Sequence, residues 1–464
     1  MFNRRITRGA SVLTLVAGVA LSLGGGAPVA GQGATPTAGA ATPVASPAAS
    51  PTALQPTGNG AIFFHPDGTS ASHWDALRFV QAGPDGDTNW SRLSEVAPYA
   101  GPMSDQITST SNGGAVTHAT GTRSHAASFG LDPDGNEYVS ANGTTNTIME
   151  DAVAAGLGTA LLQTGSLIEP GTAAFVAEAA ERDDYEEIAL EVIESGVDIA
   201  FGGGEQWLLP AGTRGRHCEE GLRTDGQNLI ERAEALGYTV VYDRDELQAV
   251  PADAAKVLGV FACEDTYNDQ TEEELQAAGL PHYLDTAPTI AEMFAFALPR
   301  VSANPNGFLV VGEEEGTDNF CNNGNAAGCL DALARSDQAF GVLTDFVDTQ
   351  GNTLLVTASD SAAGSMSVVT VDVEESVVTL LTGVNGGPCD GVEGSASAPF
   401  ESAPDAEGRT FPFAICWSTT DDLASGVLAR AHGLNAAELL PASGIVNTDV
   451  YRMLYSVLFG EDIP

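Results

Sequence analysis

A short apolar segment that runs directly into a cluster of acidic residues constrains this chain more than any other feature. Residues 308–311 read Phe-Leu-Val-Val between two glycines, the pattern of a strand buried on both faces of a sheet. Glu313, Glu314, Glu315 and Asp318 follow at once, with no Lys or Arg among them. Burying such charge is costly unless a cation compensates it, and a divalent cation is the usual partner. The segment therefore predicts an interior strand whose carboxyl end binds a cation; the alternative is a solvated acidic loop.

Short apolar runs alternate with amphipathic helical periods from about residue 60 onwards. The predicted strands lie at residues 61–64, 159–163, 198–201, 256–261, 308–311, 353–357 and 412–416. The predicted helices lie at residues 185–195, 228–236, 289–298 and 326–346. Strands separated by helices imply an α/β fold with a large, mostly parallel central sheet that helices cover on both faces. The alternating pattern of residues 366–382 indicates an antiparallel excursion rather than a further domain.

The chain is strongly acidic, with a formal net charge of -44 from 62 acidic and 18 basic residues. Such a surface repels nucleic acid and anionic lipid, so we expect no nucleic-acid recognition. It also repels anionic substrates, which means that a phosphate site must be made locally positive by metal ions or by Arg.

Residues 1–30 have the order of a secretory signal peptide. Arg4, Arg5 and Arg8 precede an apolar stretch at residues 12–23, and small residues follow it. We therefore expect a secreted or extracytoplasmic protein with no stable membrane span after cleavage, because the apolar stretch is short; an uncleaved anchor is the alternative. Residues 31–58, almost entirely Ala, Pro, Thr, Gly and Ser, predict a disordered linker ahead of one folded domain at residues 59–464.

Six cysteines in an exported chain favour disulfide bonds. Cys321 and Cys329 are close enough in sequence to join across the acidic segment. Three pairings remain open for the other four, which are Cys218, Cys263, Cys389 and Cys416. The absence of a Cys-x-x-Cys motif argues against a thiolate zinc site.

Polar groups follow several of the predicted strands directly, and in a parallel sheet the carboxyl ends of the strands gather the chemistry. Asp67 follows the first strand on an Asp-Gly turn, and Asp360 follows the strand at 353–357. We expect these residues, the loop at 164–169 and the segment 313–318 to converge on one site. The alternatives are an ordinary turn at Asp67 and a packed His65 without a functional role.

Ser111 stands in a run of small hydroxyl residues that leads through Gly-Gly into a helix-compatible stretch. Near a helix start, its hydroxyl would share the positive end of the helix dipole with an incoming anion. This setting suits a nucleophilic serine, whereas an ordinary Ser/Gly loop is the alternative.

Taken in order, these motifs resemble the alkaline phosphatase family from about residue 61 to the end of the chain. The likeness rests on Asp67, Thr110-Ser111 with residues 119–123, Glu169-Pro170-Gly171-Thr172, Arg182, residues 313–320 and residues 356–360. The resemblance implies an alkaline-phosphatase-like three-layer sandwich and a catalytic domain at residues 59–464. It also implies a secreted, metal-dependent phosphomonoesterase that hydrolyses small-molecule phosphate monoesters through a phosphoserine intermediate.

Carried over by position, the resemblance makes Ser111 the nucleophile and Arg182 the group that grips two phosphate oxygens. It assigns six further residues to divalent metals: Asp67 as a bridge between two ions, Glu313 at a magnesium-type site with help from Glu169 or Thr172, and Asp318 and Asp360 at the two catalytic ions. The alternative for Arg182 is a surface salt bridge beside Asp183 and Asp184.

The sequence departs from the family where better-known members use His beside the catalytic metals. Asn322, Ser361 and Asp422 occupy the matching positions as further candidate ligands. An oxygen-rich shell weakens the preference for zinc in favour of Mg, Ca or Mn, or leaves one catalytic site empty. Two other functions therefore stay open: a phosphodiesterase of the same superfamily, and a non-catalytic exported protein that binds metal or phosphate. A homodimer also stays open.

Overall fold

The computed structural model describes residues 54–371 and 389–463. These residues belong to one compact unit, Ala53–Pro464. The expected signal peptide and all but the last five residues of the expected linker lie outside the described residues, as do residues 372–382 of the expected antiparallel excursion. Within the described part of the chain, none of the helices combines the length and apolar character that a membrane span requires.

The elements alternate along the chain as the sequence predicts. The strands are β1 (Gly60–Pro66), β2 (Glu95–Ala100), β3 (Gly158–Ser166), β4 (Ile199–Gly203), β5 (Tyr238–Val241), β6 (Lys256–Val260), β7 (Phe308–Glu314), β8 (Thr353–Thr357), β9 (Ser367–Thr370), β10 (Cys389–Gly391), β11 (Gly394–Ser395), β12 (Phe400–Glu401), β13 (Pro412–Cys416), β14 (Leu428–Gly433) and β15 (Ile445–Val446). The helices are α1 (Ala71–Ala82), α2 (Ser111–Thr120), α3 (Ile148–Ala154), α4 (Pro170–Ala173), α5 (Tyr185–Glu194), α6 (Leu229–Ala235), α7 (Arg244–Ala249), α8 (Glu272–Ala278), α9 (Ile290–Val301), α10 (Gly316–Asn322), α11 (Ala326–Gln350), α12 (Ala436–Leu439) and α13 (Thr448–Phe459).

Ten strands form the large sheet, in the order β15-β2-β14-β8-β1-β7-β3-β4-β6-β5. β14 pairs antiparallel with β2 and β8, and the other pairs of this row are parallel. The predicted α/β fold with a large, mostly parallel sheet is therefore confirmed. β1, β7 and β3 occupy the middle of the row, which places the ends of three interior strands side by side.

Both faces of the central strands are buried, as their continuous apolar runs predict. Along β1, Ala61 and Phe63 enter one hydrophobic cluster, while Ile62 and Phe64 enter the other. The first cluster is shared with α2, α3 and α13, and the second with α1, α9 and α11. The sheet is thus the middle layer of three.

A second sheet combines β9 to β13, and all of its strand pairs are antiparallel. The strand predicted at residues 412–416 exists as β13, but its assignment to the parallel sheet is wrong. No helix lies between β10 and β13 in the described chain, and strands joined by short loops pair antiparallel because a parallel pair needs a long crossover. β9 confirms the antiparallel excursion as far as Thr370.

Three disulfide bonds use all six cysteines. Cys321 and Cys329 are joined as expected, between α10 and α11. The other pairs are Cys218 with Cys263 and Cys389 with Cys416, which settles the pairing that the sequence left open.

Candidate active site

Two acidic residues and a histidine meet where β1 and β7 end side by side. The two strands pair in parallel register, which sets His65 opposite Glu313. Nε2 of His65 lies 2.9 Å from Asp67 Oδ1, and its Nδ1 lies 2.8 Å from the carbonyl oxygen of Ala358. The same Nε2 is 3.8 Å from Glu313 Oε1. Asp67 and Glu313 have no exposed surface, so the strand ends concentrate negative charge away from water.

Asp360 reaches the same histidine from β8, the neighbour of β1 on its other side. β8 ends at Thr357 in parallel register with β1, and Asp360 follows three residues later. Its Oδ1 lies 3.8 Å from His65 Nε2. Three carboxylates from three adjacent strand ends therefore surround one imidazole nitrogen.

The three consecutive glutamates at the end of β7 do not share one face. β7 extends through Glu314, so the prediction that the carboxylates begin after the strand is wrong for the first two. Because side chains alternate along a strand, Glu314 points away from Glu313 and pairs with Arg335 of α11, with Glu314 Oε1 2.8 Å from Nη2. Both partners are buried, and the pair lies outside the acidic cluster. Glu315 comes after the strand end and is 2 % exposed.

Asp318 and Asp422, which Asn322 joins, form a second acidic group beside the first. Asp318 and Asn322 lie one turn apart on α10. The Asn322 side-chain nitrogen donates to both oxygens of Asp318, at 3.1 and 3.0 Å, and to Asp422 Oδ1 at 3.0 Å. The Asn322 oxygen accepts a hydrogen bond from the Gly364 N–H. Asn322 thus joins the two carboxylates through its amide nitrogen, while its amide oxygen points away from them.

Ser111 is the first residue of α2, as the sequence predicts. Thr110 caps the helix, and its hydroxyl oxygen accepts a hydrogen bond from the Gly113 N–H. Gly114 lies on the same side of the helix as Ser111, one turn later, and a Cβ added there would come within 2.8 Å of Asp360 Cβ. The first turn of α2, with the positive end of its dipole, therefore packs against one of the acidic strand ends.

Arg182 has Glu169 as its ion-pair partner. Its Nη2 lies 3.0 Å from Glu169 Oε2, and its side chain is 42 % exposed. The alternative pairing with the adjacent Asp183 or Asp184 is absent from the ion pairs of the described residues. Glu169 directly precedes α4, which begins with Pro170. One oxygen of its carboxylate, Oε2, accepts a hydrogen bond from the Arg182 guanidinium.

The helix α4 packs tightly on Glu313. A Cβ built on Gly171 would stand 1.7 Å from Glu313 Oε1, a distance that no side chain tolerates. The next residue, Thr172, is also buried. The glycine thus makes room for the carboxylate, and Thr172 is adjacent in sequence to this contact.

Five buried carboxylate oxygens around these strand ends have no hydrogen-bond partner within the described residues. They are Asp67 Oδ2, Glu313 Oε1, Glu315 Oε2, Asp360 Oδ1 and Asp360 Oδ2. The buried hydroxyl of Ser361 lies beside Asp422, close enough to influence its pKa. Unpaired buried carboxylates are costly, and hard divalent cations with oxygen ligands are the groups that satisfy them. The donor set therefore fits Mg²⁺, Ca²⁺ or Mn²⁺.

The pKa values at these strand ends reflect first the burial of the acids and then the charges of their neighbours. Burial raises the pKa of Glu313 to about 8; the charge of His65 opposes this rise and that of Asp67 adds to it. Burial and the charge of Asp67 hold the pKa of Asp360 well above its usual range. Asp67 is the exception: burial alone would raise its pKa, but the charge of His65 and the hydrogen bonds with His65 and the Gly68 N–H outweigh burial and lower it. Bound cations would relieve this repulsion.

Two residues of this cluster were not predicted as site residues. His65 lies at its centre, and its position two residues before Asp67, at the end of the strand that Asp67 follows, was the available signal. Gln163 of β3 donates from its side-chain nitrogen to Glu313 Oε2. A glutamine at the end of an apolar strand carries no comparable signal, because its partner lies on the neighbouring strand.

A sequence model of the alkaline phosphatase family matches residues 59–384, more than half of the chain. The chain belongs to the alkaline phosphatase family. Among relatives, alkaline phosphatase from Escherichia coli (strain K12) is 26 % identical over an alignment of 286 residues that covers 55 % of this chain and 58 % of that protein. Alkaline phosphatase H from Pseudomonas aeruginosa is 26 % identical over an alignment of 204 residues that covers 41 % of each chain. The matched regions thus span about half the length of these relatives.

Solved alkaline phosphatase structures share the fold over most of their length. The enzyme from Thermus thermophilus superposes with a TM-score of 0.67 at 20 % identity, covering 88 % of this chain and 94 % of that one. The enzyme from the Antarctic bacterium TAB5 gives a TM-score of 0.64 at 18 % identity, covering 87 % and 98 %. These superpositions confirm the predicted alkaline-phosphatase-like sandwich.

Proposed function

We propose that this protein is a secreted, metal-dependent phosphomonoesterase that acts through a phosphoserine on Ser111. The observation that carries the proposal is the set of unpaired carboxylate oxygens on Asp67, Glu313 and Asp360, next to the first turn of the helix that begins with Ser111. Membership of the alkaline phosphatase family supports the same reaction.

Ser111 and Arg182 would act directly on the phosphate ester. The Ser111 oxygen attacks phosphorus, the bond to the alcohol breaks, and water then cleaves the phosphoserine to release inorganic phosphate. The Arg182 guanidinium binds phosphate oxygens, while its ion pair with Glu169 fixes its direction. Glu169 thereby supports the phosphate clamp as well as lying near the proposed magnesium site.

Divalent cations would supply the charge that neutralises the phosphate and activates the reacting oxygens. Asp67 would bridge, Glu313 with Thr172 would hold magnesium, and Asp360 with Ser361 would form one catalytic site. Asp318 and Asp422 would form the other, and Asn322 would join them once its side-chain amide turns its oxygen toward the ion. A TAB5 alkaline phosphatase mutant has been solved with Mg bound in its M3 site, which supports magnesium as one of the proposed ions. The oxygen ligands favour Mn or Ca over Zn at the other two sites.

Secretion is part of the proposal. Three disulfide bonds suit an oxidising compartment, and the order of residues 1–30 suits export. The proposed substrates are small phosphate monoesters, and the chain would work alone or as a homodimer.

The test is hydrolysis of p-nitrophenyl phosphate by the purified protein, stripped with EDTA and resupplied with single metals. We expect Ser111→Ala to lower kcat by roughly 10³-fold or more, because the nucleophile is removed. Ser104→Ala, an exposed serine of the preceding loop, is the matched control and should retain activity. Unchanged turnover in Ser111→Ala would refute the assignment. Faster hydrolysis of bis(p-nitrophenyl) phosphate would instead identify a phosphodiesterase, and metal binding without hydrolysis of either ester would identify a non-catalytic protein.

A further inference from the structure

Glu315 is a buried acidic residue that neither the family resemblance nor the proposed reaction uses. It follows β7 directly, its side chain is almost fully buried, and its backbone N–H donates to the Thr164 hydroxyl at 3.1 Å. Its Oε2 has no hydrogen-bond partner in the described residues. An ionised carboxylate in that condition needs a compensating charge.

The surroundings of Glu315 are the acids of the candidate active site. Among its charged neighbours, Glu313 exerts the largest electrostatic effect on Glu315, followed by Asp67 and Glu169. Its Cγ would lie 3.2 Å from a Cβ added to Gly165, and Glu169 Cγ would lie 3.1 Å from the same point. Glu315 and Glu169 therefore meet over one glycine at the end of β3.

The one arginine at this place is already engaged. Arg182 lies 3.0 Å from Glu169 Oε2, and it appears in no ion pair with Glu315 among the described residues. The neighbouring arginine, Arg335, is bound to Glu314 on the opposite face of the strand. The charge of Arg182 acts on Glu315 without an ion-pair contact, and neither guanidinium is bonded to the free oxygen, so a bound cation would satisfy this oxygen.

We infer that Glu315 is an additional cation-binding carboxylate of this protein, acting with Glu313 on a hard divalent cation such as Mg²⁺ or Mn²⁺. Glu313 Oε1 and Glu315 Oε2 both lack a hydrogen-bond partner within the described residues. Glu313 lies at the end of β7, and Glu315 is the first residue after the strand. Oxygen ligands of this kind suit those ions, and the added negative charge strengthens a shell that lacks imidazoles. The inference rests on the proposed metal centre, and it concerns the ligand set rather than turnover.

The test measures Mn²⁺ binding to the full-length, EDTA-stripped protein by electron paramagnetic resonance, which counts free hydrated Mn²⁺. Glu315→Gln keeps the shape of the side chain and removes its charge. We expect one of two results for this variant. Either the dissociation constant of its most weakly bound Mn²⁺ rises about 10- to 100-fold, or the variant binds one Mn²⁺ fewer than the wild type. Displacement of bound Mn²⁺ by Mg²⁺ should show that the variant has lost Mg²⁺ affinity in the same way.

Glu220→Gln is the control, since it makes the same change at an exposed glutamate. It should keep wild-type Mn²⁺ affinity and number, and circular dichroism would verify the fold of both variants. Wild-type binding in Glu315→Gln would overturn the inference, and so would an equal loss in the two variants. Failure of the wild type itself to bind Mn²⁺ would instead refute the proposed metal centre, which keeps the two failures distinct.

Discussion

Replacement of Gly171 by alanine tests whether the packing of α4 on Glu313 controls the metal centre. The new Cβ would stand 1.7 Å from Glu313 Oε1, whereas an ordinary contact begins at 3.4 Å. Either the carboxylate or the helix must therefore move by the difference, about 1.7 Å. Oxygen ligands hold divalent cations within about 2.0 to 2.6 Å, so a shift of that size removes Glu313 from its position.

Two opposing terms set the stability of Gly171→Ala. Gly171 lies inside α4 with a negative φ, and alanine in a helix interior is favoured over glycine by up to about 1 kcal/mol. Overpacking of a buried site costs roughly 1–3 kcal/mol. We expect the second term to prevail, with a net loss of about 1–2 kcal/mol in the free energy of unfolding without metal. Metal affinity should fall by about 10- to 100-fold, as for other disturbed ligands.

Calorimetric Mg²⁺ titration and urea unfolding in EDTA measure these two quantities separately. Gly341→Ala in α11 is the control, because its nearest neighbours are atoms of Asn89 and the steric demand is smaller, with 3.2 Å to the closest of them. The reasoning is refuted if Gly171→Ala binds Mg²⁺ as tightly as the wild type while Gly341→Ala does the same.

Two further predictions concern charges outside the metal centre. Burial and the neighbouring Glu150 raise the pKa of Glu178 to about 8 in the folded protein from its usual 4.5, so stability contributed by its neutral form is lost as pH rises from 4.5 to 8. Glu178→Gln should reduce this loss and be more stable than the wild type at pH 9. Urea unfolding at pH 5 and pH 9 measures the free energy of unfolding of both proteins, and an equal change between the two pH values would contradict the raised pKa of Glu178. Arg335→Met should cost about 3–5 kcal/mol because Glu314 keeps a buried charge without its partner. Chemical unfolding checks this value, and a cost below about 1 kcal/mol would mean that the pair is not isolated from water.

The sequence predicted the parts of the fold that depend on local periodicity. The apolar runs of β1, β3, β7 and β8 are buried on both faces, and such runs have few other structures available. The rule that strand ends gather chemistry then placed Asp67 close to residues far along the chain.

The strands that were missed carry weak or contradictory local signals. β2 contains Pro98, and β14 reads Leu-Ala-Arg-Ala-His-Gly, which is poor in β-branched residues. Both are stabilised by pairing with each other, which a single segment does not reveal. β5 reads Tyr-Thr-Val-Val, which favours a strand, but a run of four residues at the edge of the sheet is too short for its pattern to be distinctive.

Side-chain partners across the candidate site depend on tertiary geometry that no motif encodes. The contact of Glu169 with Arg182 spans a loop, and the three hydrogen bonds that Asn322 donates need α10 and Asp422 in place. The split between Glu313 and Glu314 was predictable in principle from alternation, but the strand was expected to end at Val311.

The opposite orientation of Glu313 and Glu314 has a consequence for how this chain can change in evolution. A deletion or insertion of one residue inside β7 would exchange the two side chains, because every position beyond it would switch faces. Because residues 313–315 are three consecutive glutamates, a deletion places Glu314 and Glu315 at the two positions, so that the cluster at His65 and Arg335 both keep an acid. An insertion instead places Gly312 at the position of Glu313 and removes an acid from the cluster, while Arg335 still faces a glutamate. The third glutamate thus protects both acidic positions against the loss of one residue, but not against the gain of one.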